Sequence, residues 1–149
     1  MAIARNDGML IVASFNPLTK RILDAAVEVH RDVGPGLPES IYMECLELEL
    51  RDRELTFERQ RVVSVFYKGT RLRTRYRVDL AVEHTVIVEV KSIAEILPVH
   101  KAQVITYLMV TNCPVGLLIN FNVPRLMDGV RRLINPRYKQ SVGPEDQTL

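Results

Sequence analysis

The sequence is poor in cysteine and has no long hydrophobic run. Its only two cysteines, Cys45 and Cys113, are far apart and follow neither a metal-binding nor a redox spacing, which indicates buried thiols in a reducing cytoplasm. No apolar stretch approaches the ~20 residues that a membrane span requires. The first 16 residues carry a single arginine and one main apolar run at positions 9–13, so they make a poor signal peptide.

The chain also lacks a strong charge of either sign, internal repeats and low-complexity tracts. Its 20 basic and 18 acidic residues give a net charge of +2, so charge alone does not indicate a nucleic-acid-binding protein. A length of 149 residues, with 47% hydrophobic and 26% charged residues, is typical of one globular domain. We predict an N-terminal extension at 1–16, one domain at 17–134 and a flexible tail at 135–149.

Hydrophobic periodicity predicts the element order α-α-β-β-β-α-β. That order is typical of a mixed sheet with helices on its faces, an α/β/α sandwich. The predicted helices span 18–33, 38–53 and 98–111, and the predicted strands span 55–68, 71–82, 86–91 and 115–121. The segment 123–134 is ambiguous, with a short final helix as one interpretation.

Three charges interrupt the apolar pattern of the two central strands. If residues 83–85 form the hairpin loop, Asp79 lies opposite Glu89, with Cβ atoms roughly 4.5–5.5 Å apart. Lys91 shares their face because side chains alternate along a strand. The aliphatic residues that then point into the core are Val78, Leu80, Val82, Val86, Val88 and Val90. Charges beside a core are costly unless they pair or hold a metal, so this hairpin is a candidate site for a hard divalent cation and a phosphate.

A purely structural interpretation explains the same hairpin without a functional site. Asp79 and Lys91 would form a cross-strand salt bridge, with Glu89 left over, and such pairs contribute little. A D…ExK match is also short enough to arise by chance. The spacing alone therefore leaves the two interpretations open.

A further carboxylate is out of place on the helix predicted at 38–53. At about 100° per residue, Glu39 falls within the apolar stripe of that helix, whereas Glu44 and Glu47 point away from it. Glu39 either belongs to the acidic site or occupies the positive end of the helix dipole. The two explanations are compatible.

Basic and polar residues flank the acidic hairpin. Arg71, Arg73, Arg75 and Arg77 share the parity of Asp79, which predicts a basic track for a phosphate backbone. Alternatively they form a solvated face that resists edge pairing, with strand twist carrying the far arginines away.

The helix at 98–111 places His100, Gln103 and Tyr107 on one face. A histidine near a helix start is more often structural or exposed, so His100 is the weakest candidate of the three. His30 and His84 are likewise expected to be structural or exposed.

Residues 29–42, VHRDVGPGLPESIY, resemble the opening of the GxxExxY family of small prokaryotic proteins, whose naming motif is matched by Gly36, Glu39 and Tyr42. The similarity covers roughly 18–121 and continues in order through 48–50, the Asp79 strand, 89–91, 102–108 and 116–121. That family looks like a branch of the PD-(D/E)XK nuclease superfamily. The resemblance implies a restriction-endonuclease-like α/β/α sandwich with its active site on the central hairpin.

The resemblance also implies a role for each site residue. By resemblance, the roles are Glu39 as the helix acid, Asp79 and Glu89 as metal-binding carboxylates, Lys91 as the catalytic lysine, and Gln103 with Tyr107 as the QxxxY element of the RecB-type nucleases. One departure is that Val78 stands where the signature has proline.

These residues lead us to expect hydrolysis of phosphodiester bonds with Mg²⁺ or Mn²⁺. The Val90 carbonyl would complete the carboxylate ligands, and an oxygen-only set argues against zinc. The expected partners are nucleic acid, DNA ahead of RNA, contacted by Arg73, Arg75 and Arg77, and a second copy of the chain in a homodimer. The alternatives are a catalytically silent nucleic-acid-binding or assembly module of the same fold, and a structural domain whose hairpin charges form a salt-bridge network.

Overall fold

Two helices precede the sheet in the computed structural model, which describes residues 15–139. Helix α1, Asn16–Val33, has a proline in its first turn, where the missing N–H costs nothing. It ends at Gly34, whose φ of 69° suits glycine. Helix α2, Glu39–Asp52, follows with Pro38 as its N-cap. Both helices bury one apolar stripe, as their periodicity predicted.

The sheet has five strands in the order β1-β2-β3-β4-β5. Their bounds are Phe57–Tyr67, Thr70–Val82, Val86–Lys91, Val115–Asn120 and Val130–Ile134. Neighbouring strands are antiparallel except β3 and β4, which are parallel. Parallel neighbours need a crossover, and helix α3, Pro98–Thr111, makes it.

Each face of the sheet is covered by helices. On one face α1 and α2 pack on Leu80, Val88 and their neighbours, and on the other α3 packs on Ala81, Ile87 and Leu118. Because β3 and β4 are buried on both faces, their sequences are almost wholly apolar. The α/β/α sandwich predicted from the sequence is confirmed. Within residues 15–139, no helix is both long and apolar enough to span a membrane.

The segment 123–134, which was ambiguous in the sequence, does not form the short final helix that was one interpretation of it. It forms a 3₁₀ turn at Leu126–Gly129 and then β5, which pairs antiparallel with β4. Arg131 and Arg132 interrupt the apolar alternation of β5, so the strand has no clear period in the sequence. Its pairing with β4, distant in the chain, is what makes this segment a strand.

The predicted flexible tail begins at Asn135, which belongs to the packed part of the structure. Asn135 is fully buried, and its side-chain amide donates to the carbonyls of Leu108 and Cys113, both at 2.9 Å. A short helix, α4, follows at Pro136–Lys139. The first five of the predicted tail residues, 135–139, are thus Asn135, held by these hydrogen bonds, and the four residues of α4. Residues 1–14 of the predicted extension and 140–149 of the predicted tail lie outside the described residues.

Alternation along β2 is interrupted at Asp79, contrary to the predicted pattern. Val78 was expected to share a face with Leu80, but it packs with Ala81 on the α3 side, while Leu80 packs on the α1 and α2 side. The interruption lies across from Gln60, which has a left-handed φ of 48°. The alternation of side chains between the two faces of β2 therefore cannot be extended from one side of Asp79 to the other.

Candidate active site

Strands β2 and β3 are paired in the predicted register and separate at the predicted site. The paired positions are Leu80 with Val88, Ala81 with Ile87 and Val82 with Val86. Beyond them, side chains replace the backbone ladder. Glu89 Oε1 accepts the Asp79 N–H at 3.0 Å, and Asp79 Oδ2 accepts the Val90 N–H at 2.9 Å. We call Asp79 and Glu89 the acidic pair.

Burial makes the acidic pair reluctant to carry two negative charges. Glu89 is only 3% exposed, and burial first, then the charge of Asp79, raises its pKa to about 8. Burial also raises the pKa of Asp79, against the opposing effect of the Val90 N–H. Two close carboxyl groups of this kind share a proton or exchange it for a cation.

Lys91 lies two residues beyond Glu89 on β3, in register with Asn120 of β4. Its positive charge lowers the pKa of both members of the acidic pair. Within the described part of the chain, no ion pair within 4.0 Å joins Lys91 to either carboxylate. The Asp79–Lys91 salt bridge of the purely structural interpretation is therefore not formed, and the ammonium group is available to a ligand.

Glu39 reaches the site from the first residue of α2, but by a different route from that predicted. It is exposed and precedes the buried stripe that begins at Tyr42. The Ser92 N–H donates to Glu39 Oε1 at 3.4 Å, and the Ser92 hydroxyl donates to the Leu37 carbonyl at 2.6 Å. The charge of Glu39 raises the pKa of Asp79, so the two carboxylates are near each other.

The predicted convergence of three acidic side chains is only partly formed. Across residues 15–139, no group of three histidine, cysteine or acidic side chains is close enough together to hold a metal ion. Asp79 and Glu89 meet, while Glu39 lies at the margin. The Val90 N–H points toward Asp79, and because a residue's N–H and C=O point to the same side of a strand, the Val90 carbonyl also points there.

Glu47 was expected to point away from the core of α2, and this was wrong. It is 5% exposed and pairs with Arg59 of β1 at 2.8 Å. The helical wheel could not show the strand that supplies its partner. The buried carboxylate of α2, Glu47, therefore has a structural role. Glu39 is the exposed carboxylate at the N-terminal end of the same helix.

Sequence reasoning did not identify the supports of Glu39. Tyr42 is fully buried and stacks on Phe121, with ring centroids 4.5 Å apart. Its hydroxyl donates to the Gly34 carbonyl at 2.6 Å and accepts the Leu37 N–H at 3.2 Å. A buried tyrosine needs such partners, which was the available signal. Tyr42 therefore holds the turn that leads into Glu39.

Asn120 is a second support that sequence reasoning missed. It is 1% exposed at the end of β4, and its side-chain amide pairs with both the N–H and the carbonyl of Ile93, each at 3.0 Å. A polar residue closing the apolar run of β4 was the signal. Asn120 fixes the segment that follows Lys91.

Tyr107 of α3 lies near the acidic pair, and Gln103 lies beside Tyr107. Tyr107 is 4% exposed, and burial first, then the charges of Glu89 and Asp79, raise its pKa to about 12. The Gln103 side chain acts on the Tyr107 hydroxyl as a hydrogen-bond partner. Tyr76 packs edge-on against Tyr107 at 5.4 Å. The tyrosine hydroxyl is thus kept neutral beside the carboxylates.

The three histidines have structural or peripheral surroundings. His100 Nδ1 accepts the Leu97 N–H at 2.9 Å and so caps α3. His30 Nε2 lies 2.8 Å from the Val123 carbonyl. His84 is exposed in the hairpin loop. Their positions agree with the roles expected from the sequence.

The arginines of β2 are exposed. They were predicted to share the face of Asp79. They lie instead on the face opposite Tyr76 and Val78, which pack toward α3. Because alternation breaks at Asp79, they do not form a continuous ladder with the acidic pair.

Comparison with known proteins identifies the family. Searches of curated proteins and of solved structures found no match. The family model described as the PD-(D/E)XK nuclease superfamily matches residues 16–133, which include the acidic pair, Lys91 and Glu39. The chain belongs to the PD-(D/E)XK nuclease superfamily.

Proposed function

We propose that this protein is a nuclease that hydrolyses phosphodiester bonds in DNA with Mg²⁺ or Mn²⁺. The observation that carries the proposal is the acidic pair, the half-buried Asp79 and the buried Glu89, which meet where β2 and β3 separate, with Lys91 beside them. Superfamily members generally use divalent metal ions. The oxygen donors present here suit Mg²⁺ or Mn²⁺ better than zinc.

Each residue near the hairpin has a proposed role. Asp79 and Glu89, with the Val90 carbonyl, would hold the cation, and Glu39 would bind it directly or through water. When bound, the cation would activate a water molecule and neutralise charge on the phosphate. Lys91 would orient that water and would stabilise the developing negative charge as a point charge.

Gln103 and Tyr107 would position the phosphate or the Lys91 amine from α3. The Tyr107 hydroxyl is neutral at physiological pH and can donate a hydrogen bond, and burial, which raises its pKa to about 12, extends that neutral form to more alkaline pH. Gln103, beside it, limits the directions in which that hydroxyl can point. Both roles are positioning roles.

We also propose a subfamily, a source, a cellular location and partners for this protein. We place the chain in the GxxExxY branch because Tyr42 and Gly36 build the turn that presents Glu39. That placement carries with it a prokaryotic source and a cytoplasmic location. Arg73, Arg75 and Arg77 would contact the nucleic-acid backbone. A homodimer, which many related folds form, is a further expectation.

The test is cleavage of linear, nicked and single-stranded DNA and of RNA, with Mn²⁺ or with EDTA. Asp79→Asn and Lys91→Met should each abolish metal-dependent cleavage. Asp24→Asn and Lys101→Met are matched controls, because these side chains are exposed on α1 and α3, and they should leave it unchanged. Cleavage that survives both site substitutions would point to a contaminant and overturn the proposal.

The same experiment separates the main alternative. Retained DNA affinity without cleavage under any divalent metal would identify a catalytically silent binding module. Unchanged thermal stability on adding Mg²⁺, together with no DNA affinity, would identify a structural domain, because only a ligand that binds the folded state raises its stability.

A further inference from the structure

The β1–β2 hairpin extends beyond the sandwich as a two-stranded ribbon. Strand β2 pairs with β3 only at residues 80–82, so residues 62–77, which we call the arm, pair only with each other. In β2, every residue from Thr70 to Arg75 is exposed. Val63 and Tyr76 anchor the base of the arm against the α3 side of the core.

One face of the arm is strongly basic. Cross-strand partners place Val62 beside Arg77, Ser64 beside Arg75 and Phe66 beside Arg71. Val62 and three of the arginines, Arg73, Arg75 and Arg77, line a groove of about 310 Å³.

Among the described residues, no carboxylate forms an ion pair with this basic face. Across residues 15–139, none of the four arginines of the arm, Arg71, Arg73, Arg75 and Arg77, makes an ion pair. Four like charges held on one exposed face repel one another. Such a face is complementary to a polyanion.

From this surface, and resting on the proposed function, we infer that the arm lies in a groove of double-stranded nucleic acid and holds its phosphates. A two-stranded ribbon is one of the few elements that the major groove of a duplex admits. Arginines two residues apart on a strand are separated by roughly 6.8 Å, a spacing that lets successive side chains reach different phosphates. The register shift between Ser64 and Phe66 also bends the ribbon, as a curved groove requires.

The arm is less suited to a single strand. Surfaces that bind single strands interleave aromatic rings with basic groups, so that successive bases stack. Here the basic face has one aromatic ring, Phe66, which is 63% exposed at the far end of the arm. The observations therefore favour a duplex.

The length of the arm sets how much duplex it covers. Arg71 lies eight residues before Asp79, a distance of about 26 Å along an extended strand at roughly 3.3 Å per residue. At about 3.4 Å per base pair, contacts should extend roughly 8 base pairs to one side of the cleaved bond.

The experiment measures duplex binding in the cleavage-deficient Asp79→Asn background, by fluorescence anisotropy in EDTA across a salt series. Adding Arg73→Glu with Arg75→Glu should weaken binding to a duplex of about 30 base pairs at least tenfold. It should also reduce the slope of log K against log [salt] by about 2. The charge-matched control, Lys20→Glu with Arg31→Glu, alters two exposed side chains of α1 and should change affinity less than twofold.

Other results would overturn the inference. Equal weakening by the arm variant and the control would indicate general electrostatics, and tighter binding to a single strand would exclude the duplex. An arm variant that changes the sedimentation of the protein but not its affinity would make the arm an interface between copies. Thermal unfolding checks that each variant folds, and the milder Arg73→Ala with Arg75→Ala repeats the test.

Duplex length supplies an independent readout. Affinity should fall when the duplex on one side of the site is shortened below roughly 8 base pairs, and the arm variant should lose this dependence. Because binding is measured without turnover, arm-dependent affinity with no cleavage would refute only the nuclease proposal. If the arm substitutions, made in a protein that keeps Asp79, leave cleavage unchanged, only the inference about the arm is refuted.

Discussion

Replacing Glu89 by glutamine should stabilise the metal-free protein, increasingly so as the pH rises. Glu89 is 3% exposed and accepts the Asp79 N–H. Glutamine keeps an oxygen acceptor for that N–H but carries no charge. The pKa of Glu89 is raised from 4.5 to about 8, first by burial and then by the charge of Asp79. The folded state therefore holds a proton that the unfolded state releases.

The sign and size of the effect follow from linkage. With the folded pKa above the unfolded one, the contribution of Glu89 to stability is fully present below about pH 4.5 and is lost as the pH rises toward 8. The loss is about 1.4 kcal/mol per pH unit within that window. Glu89→Gln should match the wild type near pH 5 and exceed its free energy of unfolding by roughly 3 kcal/mol near pH 7.5.

Denaturant unfolding followed by circular dichroism, in EDTA at steps of pH, measures this difference. Glu95→Gln serves as the control because it makes the same substitution at a residue that is exposed in the loop before α3. A Glu89→Gln difference that stays flat between pH 5 and pH 8 would refute the argument that burial and Asp79 act on this carboxyl.

Three further outcomes are expected. Tyr42→Phe should cost about 1–3 kcal/mol of unfolding free energy in denaturant titrations, because it leaves the Gly34 carbonyl and the Leu37 N–H without their partner; an unchanged midpoint would contradict this. Gly129→Ala should lower stability by about 2 kcal/mol, since its Cβ would meet the Asn120 carbonyl oxygen, and calorimetry checks it. Mg²⁺ should raise the melting temperature of the wild type more at about pH 8.5 than at about pH 6, because binding must displace the proton of the acidic pair; EDTA should reverse the shift.

The central hairpin shows how much local pattern can determine. Aliphatic residues flank Asp79 and Glu89 on strands joined by a short loop, and a slip of one residue would separate Asp79 from Glu89. The pairs 80–88, 81–87 and 82–86 follow from that constraint and are formed. The sequence also predicted the helix that carries Gln103 and Tyr107, and its bounds in the structure match the predicted ones.

Other features depended on partners far away in the chain. Glu47 is buried because Arg59 of β1 pairs with it, and β5 is a strand because β4 offers it an edge. Val78 departs from strict alternation where β2 parts from β3 at Asp79. No helical or strand period contains this information.

The sequence by itself determined that two carboxylates and a lysine would lie on one hairpin, because a three-residue loop at 83–85 sets a register in which Asp79 lies opposite Glu89. Only the tertiary structure decided the pKa values of these carboxyl groups and the position of Glu39. Packing α3 over Glu89 removes water and raises its pKa, and the hydrogen bonds of Ser92 and Tyr42 bring Glu39 to the margin of the site. Desolvation and long-range hydrogen bonds depend on which elements meet in space, and that is decided by the packing of the whole domain.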